Sequence, residues 1–274
     1  MSPLTPPQPT EIAAVFRSPV VPELFAELEQ TPRYLAHVWP ALAASIDTAG
    51  FLGSALYLAD MALDAVEEVY EPLLTREQLG QSISSAELAE IEAVLDVFHY
   101  LQPQALLAGA ALAEAFDRPE VGGQGRVEPR LTRDRDQAHL ATVVPERDVA
   151  ALGLATIVET LQVPGAPQLY ATLGQWPGYL QGSWEELQHL AAYPEFRRRG
   201  RALYYYARSG ARFLARPLHA DSGALRTAGL ANEEIEAART IVDASVPALA
   251  TMVMHCTAMR LALGHAEREV VGVE

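Results

Sequence analysis

The sequence has no lysine and only one cysteine. All 20 basic residues are Arg, set against 35 Asp and Glu, for a formal net charge of -15 at pH 7. That balance repels phosphate backbones and anionic lipid, so neither nucleic acid nor a membrane is an expected partner. The lone Cys256 excludes an intrachain disulfide, a CxxC redox pair and a multi-cysteine metal site, and a reducing cytoplasm fits it best. Met1 to Glu11 has neither a basic start nor an apolar run, so no secretory leader is expected there. The chain also lacks HExxH, any His pair at i and i+4, GxGxxG after a strand, GxxxxGK[ST] and GxSxG. The usual signals of zinc hydrolases, dinucleotide and nucleotide binders and α/β-hydrolases are therefore missing, and no metal or cofactor is expected.

What is present is a large apolar fraction, 50% over 274 residues, ample for a buried core. The most apolar stretch, Val242 to Met259, is interrupted by Asp243, Pro247 and His255. Those residues are costly or disruptive in lipid, so the stretch reads as a core helix.

The strongest signal is internal repetition. Pro19 to Ala62 matches Pro164 to Ala207 without a gap at an offset of 145, with 14 identities in 44 positions. The pairs include Pro22/Pro167, Pro32/Pro177, Tyr34/Tyr179, Trp39/Trp184 and Phe51/Phe196. A second block, Glu90 to Ala93 with Pro103, matches Glu234 to Ala237 with Pro247 at an offset of 144. Repetition at this scale is read before any local feature, because it sets the architecture.

Within each copy, Leu, Tyr and Trp recur at spacings of three, four and seven, the period of an amphipathic helix. Prolines open the segments, where a fixed φ suits a first helical turn. The Ala- and Leu-rich segments Leu52 to Val69, Ala86 to Phe116, Arg201 to Leu214 and Asn232 to Arg268 favour helix by propensity. Few alternating strands or two-residue hairpin signals appear. The reading is an all-α protein of two tandem helical repeats packed as an intrachain pseudo-dimer, since each copy has an apolar face to bury. The expected boundaries are 11–116 for the first repeat, 117–148 for a polar linker and 149–268 for the second repeat. Residues 1–10 and 269–274 are expected to be flexible tails. Pairing of two chains into a homodimer is left open.

The stretch Tyr170-Ala-Thr-Leu-Gly-Gln-Trp-Pro-Gly-Tyr-Leu-Gln-Gly-Ser-Trp is similar to the second repeat of the group I 2-haloacid dehalogenases, and Thr-Pro-Arg-Tyr-Leu with Trp39 looks like its partner. The resemblance implies an active site between the repeats. There an Asp would activate water to displace halide from the α-carbon of a short 2-haloacid, with no covalent ester and no metal. Between Glu159 and Glu185, however, the sequence has no Asp or Glu. Gln168 stands near the position of the expected acid, and an amide cannot take a proton at neutral pH. Its repeat equivalent is Glu23, which leaves two readings: the carboxylate has changed copies, or Glu23 merely stabilises the first turn of a helix.

The candidate catalytic residues are therefore Gln168 and Glu23, and Asp60 is a further carboxylate that could reach the seam. Phe25, Tyr170, Ser183, Trp184 and Tyr205 are candidates for contact with a small carboxylic-acid substrate or apolar ligand. Helical spacing alone also explains the aromatics as core, and Ser183 as a small residue permitting close packing. The Tyr204-Tyr205-Tyr206 run circles a helix, so at least one hydroxyl faces solvent or the seam. Arg197, Arg198, Arg199 and Arg201 form either a solvated helix face or a holder of a small anion. His255 and Cys256 are adjacent and point about 100° apart on a helix, which suits a buried structural cysteine better than a thiolate with its base. Two functions remain: a hydrolytic dehalogenase, or a non-catalytic or divergent helical protein that binds a small apolar ligand or a protein partner.

Overall fold

The computed structural model describes residues 5–130, 153–163 and 165–266. Its helices are α1 (Pro9–Phe16), α2 (Glu23–Leu28), α3 (Pro32–Ile46), α4 (Ala49–Glu67), α5 (Arg76–Leu79) and α6 (Ser85–Asp117). They are followed by α7 (Ala155–Leu161), α8 (Gln168–Leu173), α9 (Pro177–Ala192), α10 (Pro194–Gly210), α11 (Ser222–Thr227) and α12 (Asn232–Ala262). Among the described residues there is no strand, only two isolated bridges. The all-α expectation is met.

Local backbone geometry follows the sequence match. Glu23 and Gln168, Pro32 and Pro177, all 145 apart, open corresponding helices. Pro22 and Pro167, which precede α2 and α8, have nearly the same dihedrals, φ -58 and ψ 137 against φ -57 and ψ 138. Among the described residues the non-glycine positions with positive φ are Arg17, φ 51, and Gln162, φ 55, again 145 apart. Each ends a helix, α1 or α7, in the left-handed conformation that turns the chain and satisfies the last carbonyls. The structure therefore carries the correspondence back to α1 and α7, where the sequence match is weak; Ile12 and Ile157, both buried, are its remaining identity there.

The core is a group of four helices, α4, α6, α10 and α12, each packed against the other three. The most extensive of these contacts is between α6 and α12. Every residue from Leu101 to Ala113 on α6 and from Met252 to Arg260 on α12 is buried. A helix enclosed on all sides needs apolar residues all round rather than a stripe, which is why these segments lack a clear amphipathic pattern. By length and composition α4 and α12 could also cross a membrane, yet their most apolar windows are 50% and 61% buried inside the molecule. Both long helices contain a proline, Pro103 and Pro247, without ending at it.

Contacts of the smaller helices are reciprocal: α2 packs on α12, and α8 packs on α6. Close approach at the first of these junctions depends on Gly109 of α6. A Cβ there would lie 2.8 Å from Leu24 Cδ2 and 2.9 Å from Val246 Cγ2, so the α2–α6–α12 junction has no room for a side chain.

The chain leaving α6 stays on the body as far as it is described. Val121 and Leu218 exchange backbone hydrogen bonds of 3.1 and 2.7 Å, and Ala49 donates to the Glu128 carbonyl at 2.9 Å. Arg130 is buried and donates to Gln104 Oε1 at 3.1 Å. The remainder of the expected linker, 131–148, lies outside the described residues, as do 1–4 and 269–274 of the expected tails. At the other end α1 begins at Pro9, inside the segment expected to be loose, because Ile12 and Phe16 of this helix enter the core.

Replacing Gly109 by Val forces two methyl groups into the α2–α6–α12 junction, and overpacking of that kind costs about 2–3 kcal/mol. Urea unfolding of the Gly109→Val variant should show its midpoint shifted down accordingly; an unchanged midpoint would mean that the junction yields freely.

Candidate active site where the starts of α2 and α8 meet

Proline fixes the chain direction just before α2 and α8, so each helix presents its first residue, Glu23 or Gln168, at a defined place. Glu23 and Gln168 meet. The carboxylate Oε2 of Glu23 accepts the backbone N–H of Gln168 at 3.0 Å, and the Gln168 side-chain Nε2 donates to the Val21 carbonyl at 3.0 Å. Two repeat-equivalent helix starts are thus tied to each other, one through an acid and the other through an amide.

Glu23 sits in an environment that disfavours its charge. Burial pushes its carboxyl up to about 7, the Gln168 N–H pulls in the opposite direction, and the nearby Glu27 adds to the rise. Glu27, one turn further along α2, accepts a hydrogen bond from Ser245 Oγ of α12 at 2.7 Å. The two acids line a narrow cleft with Val163, Gly165, Leu249 and Met252, of about 20 Å³. That space suits a single water, which would find carboxylate oxygens on one side and apolar walls on the other. A carboxylate of this kind is partly ionised near neutrality and can accept a proton from water beside it. Among the described residues no group of three or more His, Cys, Asp or Glu is placed to hold a metal ion.

The other candidates fall elsewhere. Phe25 and Trp39 meet edge to face at 5.7 Å, and their repeat equivalents Tyr170 and Trp184 do the same at 5.7 Å. These rings are core packing reproduced in both copies, and none of them lines the cleft beside Glu23. Ser183 is buried next to Trp184 on α9, and Asp60 on α4 does not reach this cleft. Tyr205 is 63% exposed on α10 and lines a different cleft.

Where the first copy has Phe25 the second has Tyr170, whose hydroxyl must find a partner inside the core. It lies 2.7 Å from His255 Nδ1. Cys256 turns away from that pair and donates to the Leu95 carbonyl at 3.4 Å. Burial pushes its thiol up to about 12, so it is an inert structural cysteine. Sequence reasoning missed Glu27 and Ser245. Glu27 could have been found, since it stands four residues after Glu23 and shares its helix face. Ser245 has no such signal, because its partner comes from the far end of the chain.

Comparison with known proteins bears on this geometry. The family model described as "Halocarboxylic acid dehydrogenase DehI" matches residues 19–146, the portion that holds Glu23. An (R)-2-haloacid dehalogenase of Pseudomonas putida is 30% identical over 118 residues, 40% of this chain and 38% of that protein. The match thus spans well under half the length of that relative. Across the whole fold the likeness is wider. A D-2-haloacid dehalogenase mutant superposes with a TM-score of 0.81 at 20% identity, covering 92% of this chain and 89% of that one. A mutant with D-2-CPA gives 0.80 at 19% identity over 91% and 88% of the two chains. The enzyme with L-LA gives 0.80 at 21% over 92% and 89%. This chain is thus similar to the 2-haloacid dehalogenases, in sequence over less than half of its length and in fold over most of it.

Proposed function

We propose that the chain is a hydrolytic 2-haloacid dehalogenase in which Glu23 of the first copy supplies the base. Residues 11–116 and 149–268 would then be two docked copies forming an intrachain pseudo-dimer, with residues 117–148 joining them and the active site at their seam. The observation that carries this reading is a carboxylate held near neutrality beside a water-sized cleft, at the junction of the two helix starts.

In the reaction, Glu23 takes a proton from the water as the water oxygen attacks the α-carbon of the haloacid. The carbon–oxygen bond forms as the carbon–halogen bond breaks, and halide leaves with the bonding electrons. The products are a 2-hydroxy acid, halide and a proton, and attack from the side opposite the halide inverts the carbon. Gln168 is a positioning residue: its N–H holds Glu23 Oε2, and its side chain holds the segment leading into α2. The cleft admits a water but not a haloacid, so side chains such as Met252 and Leu249 must shift to accept substrate.

One contact favours the non-catalytic reading. Oε2 of Glu23 satisfies the first N–H of α8, a structural task that needs no chemistry. One measurement separates the readings, and a second tests the burial of Glu23 that both require.

Halide release from the enantiomers of 2-chloropropionate should be seen with the wild-type chain and fall at least 10²-fold in Glu23→Gln, the lower range of a lost general base. The wild-type rate should rise with pH to a plateau above about 7, because the ionised carboxylate is the active form. No release from either enantiomer leaves the capping role.

The second measurement concerns stability and holds under both readings. Glu23 binds its proton more tightly folded than unfolded, so its favourable contribution is complete below the unfolded value of 4.5 and is lost as pH rises through about 7. The difference approaches about 3 kcal/mol by linkage. Between pH 5 and pH 8 the Tm of the wild type should therefore fall relative to that of Glu23→Gln; parallel curves would show that Glu23 is not buried as described.

A further inference from the structure

A second cleft lies on the other side of α12. Ser245, Ala248, Leu249 and Met252 face the Glu23 cleft, whereas Pro247, Ala250, Thr251 and Met254 face this one. The two sets are each spaced at three, four and seven and are displaced by two residues, roughly 200° around a helix. The second cleft has a volume of about 580 Å³ and is walled by the end of α7, the end of α9, α10 and α12. That volume falls within the range usual for small-molecule sites, about 300–1,000 Å³.

Its chemistry is uneven from floor to mouth. At the floor lies His255, with no exposed surface. Nδ1 of its ring faces the Tyr170 hydroxyl at 2.7 Å; Nε2 is buried and has no hydrogen-bond partner among the described residues, so a ligand reaches it only as the cleft wall shifts. The Tyr170 hydroxyl is best satisfied by donating to Nδ1, which leaves Nε2 carrying the hydrogen. Burial lowers the ring's pKa to about 4, so at neutral pH it is a neutral donor rather than a cation. Phe196 stands against it at 5.6 Å, and Met254, Pro247 and Ala250 complete an apolar wall.

At the mouth, the arginine run divides in two. Arg198 and Arg199 are engaged with Glu195, and Arg199 also with Glu68. Arg197 and Arg201 stand one turn apart on α10, line the cleft and have no carboxylate partner among the described residues. In a chain with a net charge of -15, two such guanidiniums over one apolar cleft form a local exception to the overall field.

We propose that this cleft binds an organic carboxylate with an apolar body, its anionic end held by Arg197 and Arg201 and an oxygen at its buried end accepting from His255 Nε2. The ligand supplies what each level lacks: a negative charge at the mouth, apolar surface along the wall and an acceptor at the floor. The site is separate from the Glu23 cleft and does not depend on the dehalogenase reading.

The probe pair is 8-hydroxyoctanoate and 1,8-octanediol, which differ in the carboxylate, titrated calorimetrically into the full chain. The acid should bind at least tenfold more tightly than the diol, and an Arg197→Gln, Arg201→Gln variant should abolish that margin. Both arginines are exposed, so the double variant should fold as the parent does. Saturation with the acid should also shift the imidazole nitrogen resonance that a His255→Gln variant lacks, a readout requiring no change at the mouth. Absence of binding, equal affinity for acid and diol, a margin that survives the double variant, or an unmoved His255 resonance would each overturn the proposal.

Discussion

The close contact of α6 with α12 is the constraint on which the rest of the structure depends. Each helix is enclosed on every side over several turns, and around this pair α2 packs on α12 while α8 packs on α6. Gly109 marks where this approach is tightest. Because α2 lies against α12 and α8 against α6, the starts of α2 and α8 are carried to the same place, and Glu23 can meet Gln168. The environment of the carboxylate is thus a consequence of helix packing far larger than the site itself.

The two stretches that match in sequence also differ where chemistry or satisfaction demands it. Glu23 stands opposite Gln168 in the sequence match, so the amide spares the junction a third carboxylate beside Glu23 and Glu27. Phe25 stands opposite Tyr170, and only the copy with the hydroxyl has His255 to meet it. The ring geometry is retained meanwhile, as the paired contacts of Phe25 with Trp39 and Tyr170 with Trp184 show. The two faces of α12 have different characters: a narrow acidic cleft on one side, a wide cleft with arginines at its mouth on the other.

Much of this was legible in the residues. The offset of 145, the prolines that open helices and the spacing of Leu, Tyr and Trp determined the helical class, the repeated unit and the equivalence of Glu23 with Gln168. Those features are local or periodic, and a linear sequence records them directly. Tertiary structure alone decided which candidates meet. Ser245 reaches Glu27 across most of the chain length, and Tyr205 turns outward although Tyr170 is buried; neither result follows from spacing within one helix. The arginine run was likewise ambiguous: Glu195 stands at helical spacing from Arg198 and Arg199, yet only packing brought Glu68 to Arg199 and left Arg197 and Arg201 over a cleft. Helical periodicity states which residues share a face, whereas burial, and with it the ionisation of Glu23 and His255, depends on what is packed against that face.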